Sequence, residues 1–342
     1  MIRVFDGHND ALLRLHRAGG RIDGFIDGDA DGHVDLPRAR RGGLAGGLFA
    51  VFVPSEKFEQ PEGVKSYALP LSAPVDPAVA RATADELVDV LFRLEAGGGL
   101  GVVRQVSELE RCLADGAIAA VMHFEGADAI AGQDDLVRRY EQGLRSLGLV
   151  WSRPNRYAEG VPFRFPGSPD TGPGLTAEGR ELVRACNRLG IVVDLSHLNL
   201  RGFFDVASLS EAPLVASHSN AHAICPSTRN LTDEQLDAIA SSGGLVGVNF
   251  AVSFLRPDGL QDTDTPLDAV FAHVDYLVDR MGIDHVAFGS DFDGANIPDA
   301  IGDAAGLPGL IEALRDRGYD EEALTKLAHA NWLRVLRETW HS

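Results

Sequence analysis

Near the start of the chain, Asp6-Gly7-His8-Asn9-Asp10 sets an imidazole and a carboxylate two residues apart, so in an extended chain His8 and Asp10 point to the same side. Imidazole nitrogen and carboxylate oxygen both suit zinc and similar divalent ions, and a strand end offers them side by side. One such tripeptide is a weak signal, but its kind recurs. His123-Phe124-Glu125-Gly126, Asp194-Leu195-Ser196-His197, Ser217-His218-Ser219-Asn220 and Gly289-Ser290-Asp291-Phe292-Asp293-Gly294 each close a short apolar run. Burying His8, Asp10, Glu125, His197 and His218 in one cavity would be costly without cations to compensate them. Two divalent ions resolve that cost. Glu125 can bridge them, His8 and Asp10 complete one site, His197 and His218 complete the other, and Asp291 remains nearby as a proton carrier.

Rival chemistries fit less well. His218 and His222 form HxxxH, but Ser219 stands where a zincin carries its general-base Glu. No GxSxG elbow occurs, and the adjacent pairs Ser196-His197 and Ser217-His218 are expected to send their side chains to opposite sides of an extended chain, which argues against a serine nucleophile. Cys112, Cys186 and Cys225 form no CxxC, so neither a thiolate zinc site nor a disulfide framework is expected. His123 shares a strand face with Glu125, and its role as a further ligand or as a residue behind the ligands stays open. His16, His33, His273, His285, His329 and His341 are expected at the surface or in packing.

The elements that would position these residues follow a βα rhythm. Eight strands are predicted: Ile2 to Asp6, Gly47 to Val53, Ala117 to Phe124, Gly148 to Trp151, Ile191 to Ser196, Leu214 to Ser217, Gly244 to Asn249 and Val286 to Ser290. Helices are predicted over Asp76 to Glu95, Asp134 to Leu147, Thr176 to Leu189, Thr232 to Ser242, Pro266 to Met281 and Leu307 to Arg317, with Thr176 and Thr232 as N-caps. Eight strands with helices between them predict a single (β/α)8 TIM-type barrel spanning 1–342, whose strand C-termini converge on one mouth, the usual place of the active site. A doubly wound sheet is the structural alternative, but no GxGxxG follows a strand. Pro54 to Pro74 and Tyr157 to Gly174 read as long βα loops that line or cover the mouth.

Composition narrows the partners. Fifty acidic against 31 basic residues give a formal charge of −19, a field that repels nucleic acid and anionic lipid headgroups. An apolar fraction of 45% allows a sizeable core, and no apolar run is long enough to span a membrane. Without a signal-peptide pattern, the chain is expected in the reducing cytoplasm.

These stretches, with Gly174-Leu175-Thr176, Asn187-Arg188-Leu189-Gly190, Arg229-Asn230 and the closing Asn331-Trp332-Leu333-Arg334-Val335, resemble the membrane (renal) dipeptidase family of amidohydrolase-like barrels, from Asp6 to about Leu336. The resemblance implies a zinc dipeptidase with two ions per chain, bridged by Glu125 and a water or hydroxide that attacks the scissile carbonyl. It implies that Asp291 moves the proton, that Arg229 binds the substrate carboxylate and that a homodimer forms. Two departures stand out. Trp151 occupies a place where relatives often carry a substrate-contacting His, so carbonyl polarisation would fall more heavily on zinc, and Ala251 stands where a tyrosine can occur. Dipeptides of the L-Xaa-D-Xaa type are the expected substrates, with Arg153, Arg156 and Arg164 as candidates for favouring acidic side chains. Hydrolysis of another amide or a lactam is the enzymatic alternative, and a silent binding barrel would require loss of a ligand or of Asp291, none of which is lost.

Overall fold

The computed structural model describes residues 1–55 and 63–341, so 56–62 of the expected loop Pro54 to Pro74 lie outside the described residues. Eight parallel strands form one sheet in sequence order: β1 (Val4–Asn9), β2 (Leu44–Phe52), β3 (Ala119–Glu125), β4 (Leu144–Gly148), β5 (Val192–Asp194), β6 (Val215–Ser219), β7 (Leu245–Val248) and β8 (Val286–Phe288). A short strand, Gly101–Val102, adds to β3. The ring closes just beyond β8, where a parallel bridge joins Asn9 to Phe292 and Asp10 N donates to Phe292 O at 2.8 Å. This is the predicted barrel. Every residue of the eight strands is buried, as expected of a parallel sheet covered on both faces.

Strand alternation divides the apolar residues between two layers. Phe5, Leu48, Val121, Val192, Val215, Leu245 and Ala287 pack with Trp332 and Leu336 of the helix Asn331–Thr339 and with Trp340 just beyond it. Val4, Phe49, Met122, Val193, Ala216, Val246 and Phe288 join the larger cluster beneath the outer helices. Trp332 reaches inward and donates its indole N–H to Phe288 O at 3.0 Å. A Cβ on Gly7 would come within 2.5 Å of Trp332 Cζ2 and 2.4 Å of Ser217 O, so only glycine fits there.

The capped helices fall where expected. Gly179 N donates to Thr176 Oγ1 at 3.0 Å at the start of Ala177–Leu189, and the Gln235 side chain accepts from Thr232 N at 2.9 Å at the start of Asp233–Ser241. The fourth repeat corrects the sequence reading. The helix expected over Asp134 to Leu147 is Gln133–Gln142, and the strand expected over Gly148 to Trp151 is Leu144–Gly148. Arg145 misleads because it reads as a surface charge. In the fold it is buried, gives its guanidinium to Arg104 O and Tyr140 O, and stacks over the Tyr140 ring at 3.9 Å.

The two long loops meet in an antiparallel ribbon, Tyr67–Ala68 against Arg164–Phe165. Thr228 ties that ribbon to the loop after β6, its N donating to Arg164 O at 3.1 Å. Among the described residues no helix is long and apolar enough to cross a membrane.

Candidate metal centre

His8 lies in β1, Glu125 ends β3, and His218 lies in β6, while Asp10, Trp151, His197, Arg229 and Asp291 follow β1, β4, β5, β6 and β8. The barrel gathers all of them at one mouth. The described residues contain three non-glycine positions with positive φ, His197 (66°), Asp291 (63°) and Asp293 (65°), and two of them are candidate site residues. Such left-handed backbone costs about 1–3 kcal/mol per residue and persists where surrounding structure enforces it.

Glu125 sits between two groups of donors. Its Oε2 lies 3.8 Å from His8 Nε2, which is itself 3.3 Å from Asp10 Oδ2. Its Oε1 lies 3.1 Å from His197 Nε2 and 3.6 Å from His218 Nε2, and those two nitrogens stand 3.2 Å apart. Three sets can each converge on an ion: His8, Asp10 and Glu125; Glu125, His197 and His218; His8, His218 and Asp291. Asp291 thus joins His8 of the first set and His218 of the second, and it accepts from Asn249 Nδ2 at 2.9 Å.

The donors fit divalent cations. Two imidazole nitrogens directed at each other and at one carboxylate oxygen leave a gap that a positive ion fills, and Asp10 Oδ1 is buried without a hydrogen-bond partner. The electrostatics agree. Burial pushes Glu125 and Asp291 above the usual carboxylate range and drives His197 and His218 well below theirs, leaving neutral imidazoles suited to ligation. Burial works against the charge of His8, yet Glu125, Asp10 and Asp291 raise its pKa overall.

His123 belongs to none of the three donor sets. Its ring stands edge-on to His8 at 5.5 Å, its Nδ1 meets Ser146 Oγ at 2.9 Å and its Nε2 lies 3.6 Å from Asp194 Oδ2, so it backs the cluster. His222 bonds Gly167 O and stays outside the donor sets.

Arg229 is buried beside the cluster with no carboxylate of the described residues at ion-pair distance. One amino group donates to His218 O at 2.9 Å, another to Ser219 Oγ at 3.3 Å, and Nε has no partner. Burial lowers its pKa, with Asp291 and Glu125 opposing that shift. Aromatic rings line the same space: Trp151 packs on Phe52 (5.2 Å), Phe163 (5.5 Å) and His197 (5.9 Å), and Phe163 stacks on Phe254. Two arginines expected to attract acidic side chains are already paired. Arg153 forks onto Asp128 with 3.1 Å contacts and Arg156 meets Glu178, so both serve loop structure.

Several residues around the site escaped sequence reasoning. Asp6 accepts from Ser290 N and Oγ at 2.7 and 2.8 Å, and Asp194 accepts from Ser217 N and Oγ at 2.8 and 2.5 Å. Asn249 was legible as another polar strand-end residue. The expectation that neighbouring Ser and His side chains diverge is corrected: Ser217 Oγ lies 2.8 Å from His218 Nδ1. The β6–β7 register shifts between Val246 and Val248, so strict alternation fails at this end of the strand. The arrangement still does not suit Ser217 as a nucleophile, because its hydroxyl hydrogen is directed to Asp194 and not to the imidazole.

Comparison with known proteins places this geometry. A crystal structure of a metallo peptidase from Rhodobacter sphaeroides, liganded with a phosphinate mimic of the dipeptide L-Ala-D-Ala, is 51% identical, superposes with a TM-score of 0.95 and covers 99% of both chains. A Klebsiella pneumoniae protein from the pqqA 5′ region is 52% identical over 72% of this chain and 91% of its own length. Dipeptidase aclJ of Aspergillus oryzae is 30% identical over 99% of this chain and 79% of its own. The sequence model of the membrane dipeptidase family matches residues 1–341. With that match along its length, the chain belongs to the membrane dipeptidase family, peptidase family M19, and is a metallo-dipeptidase.

Proposed function

We propose that the chain hydrolyses dipeptides, including L-Xaa-D-Xaa, with two zinc ions per chain held by His8, Asp10, Glu125, His197 and His218. The observation that carries this reading is the gathering of four buried donor residues, His8, Asp10, His197 and His218, around the carboxylate of Glu125, beside a buried arginine that has no anionic partner among the described residues. Bound there, a pair of zinc ions would polarise the scissile carbonyl and acidify the attacking water.

The chain's own residues do the rest. Arg229 receives the C-terminal carboxylate through a planar fork already aimed by His218 O and Ser219 Oγ. Asp291 takes the proton from the attacking water and returns it to the departing amine nitrogen. Asn249 steers one of its oxygens, and burial favours its protonated form between the two transfers. Trp151, Phe52, Phe163 and Phe254 exclude water and shape the side-chain space. Trp151 brings no imidazole to the carbonyl, so polarisation rests on the metal side. The L-Ala-D-Ala mimic in the Rhodobacter relative supports a D-residue on the carboxylate side. We also propose one barrel domain over 1–342, a homodimer and a cytoplasmic location.

The test is hydrolysis of an L,L and L,D dipeptide library by zinc-loaded protein, beside chelated protein and Asp291→Asn, with metal content measured. Zinc-dependent cleavage lost in the variant supports the reading. Two zinc ions per chain without cleavage of any dipeptide would move the assignment to another amide or a lactam.

A further inference from the structure

The hydroxyls behind two of the histidines say which nitrogen of each ring is free. His197 and His218 turn Nε2 toward Glu125 and each other, and turn Nδ1 toward buried serines, Ser152 Oγ at 2.9 Å and Ser217 Oγ at 2.8 Å. At His218 the proton's direction follows from what lies beyond. Ser217 has one hydroxyl hydrogen, and its Oγ is 2.5 Å from Asp194 Oδ2. The other oxygen of Asp194 already accepts from Ser196 N at 3.1 Å and Ser217 N at 2.8 Å. A carboxylate only accepts, so Ser217 donates to Asp194 and must accept from His218 Nδ1–H. The lone pair of the neutral ring is then at Nε2, inside the donor cluster.

The other half of the centre is built differently. Asp6 repeats the carboxylate–serine pair with Ser290, but Ser290 Oγ lies 3.1 Å from the backbone oxygen of His8, not from its ring. His8 Nδ1 has no hydrogen-bond partner, and the ring is held by stacking on His218 at 3.9 Å and by the edge of His123.

Resting on the metal reading above, we propose that Asp194 and Ser217 are positioning residues that lock His218 as the Nδ1–H tautomer, with Ser152 holding His197, and that this relay governs only the ion bound by His197 and His218. Partners of this kind change metal affinity by about 10–100-fold. Asp194→Asn gives the sharpest contrast. Two backbone N–H groups hold the amide oxygen at the Oδ1 position, so the amide NH2 faces Ser217 Oγ and turns the hydroxyl hydrogen toward His218 Nδ1. The ring proton is driven to Nε2.

The experiment titrates Co2+ into chelator-stripped full-length protein, followed by calorimetry and visible absorption, with 15N NMR of histidine-labelled stripped protein reporting the tautomer. The wild-type chain should bind two ions and show His218 protonated at Nδ1. Ser217→Ala should weaken one ion by about 10–100-fold and leave the other unchanged. D194N should move the His218 proton to Nε2, and the D194N/S217A double variant should be no weaker than S217A. Should stripped S217A fail to fold, Ser152→Ala carries the same test at His197. Unchanged binding in the folded variant, equal loss at both ions, or additive losses in the double variant would overturn the proposal. A wild-type chain that binds fewer than two ions would overturn the metal reading itself, a result seen before any variant is made.

Discussion

Replacing Arg229 with Met removes the charge and the fork while keeping most of the side-chain volume. The guanidinium is buried, its fork is aimed by His218 O and Ser219 Oγ, and its Nε has no partner, so a substrate carboxylate entering this space would gain a desolvated, charge-assisted pair. Truncating one partner of such a buried pair costs about 2–5 kcal/mol. A loss of about 3 kcal/mol corresponds to roughly 150-fold in kcat/KM. The assay compares a free dipeptide with its C-terminal amide, for wild type and Arg229→Met. The wild-type enzyme should disfavour the amide by a similar factor, and the variant should lose most of that discrimination because the amide never used the guanidinium. The folded state should not suffer, since Arg229 brings a buried charge without an ion-pair partner among the described residues, so the melting temperature of the variant should not fall. Equal losses on free acid and amide would refute the assignment of Arg229 to the carboxylate.

Other predictions follow the same geometry. Asp291→Asn in zinc-loaded protein should lower kcat by about 10²–10⁴-fold with little change in KM, measured by steady-state hydrolysis. A Cβ on Gly294 would approach Asp10 Oδ2 to 2.2 Å and Asp291 Oδ1 to 2.5 Å. Gly294→Ala should therefore reduce both metal content and kcat, while the melting temperature of the stripped protein stays close to wild type. His273 is buried, accepts from Ala221 N and meets Leu255 O, and burial pushes its pKa down to about 4 from 6.5. Because the folded state resists protonation, the stabilisation from its neutral ring is present above pH 6.5 and is lost as pH falls toward 4. His273→Gln should thus melt below wild type at pH 7, and the gap should narrow between pH 6.5 and 4. A constant gap across that range would contradict the linkage.

Much of the site was legible because a parallel barrel brings strand ends together whatever the loops do. His8, Glu125, His197, His218 and Asp291 each close an apolar run, and the fold places all five at the mouth. Less legible was anything set by local departures from regular strands. The positive φ of His197 and Asp291 and the shifted register beside Ser219 decide which side chains meet, and side-chain alternation does not encode them. The pairing of Asp194 with Ser217 depends on a neighbouring strand 23 residues away. Arg145 hid β4 because a charge that satisfies itself on backbone carbonyls and stacks on Tyr140 looks, in sequence, like a surface residue. Arg153 drew attention as a loop cation, and only the fold reveals Asp128 opposite it.

The seam between β1 and β8 closes where the chemistry is concentrated, with Asp291 N donating to His8 O at 3.1 Å and Ser290 N donating to Asp6 across 284 positions of sequence. A ribosome would therefore release the first candidate ligands long before the last part of the mouth exists. Contacts of such long range carry a large loop-closure entropy and are intrinsically slow to form. The growing chain cannot complete the seam until residue 292 has emerged, which separates synthesis of His8 and Asp10 from completion of the site by the time needed to translate more than 280 residues.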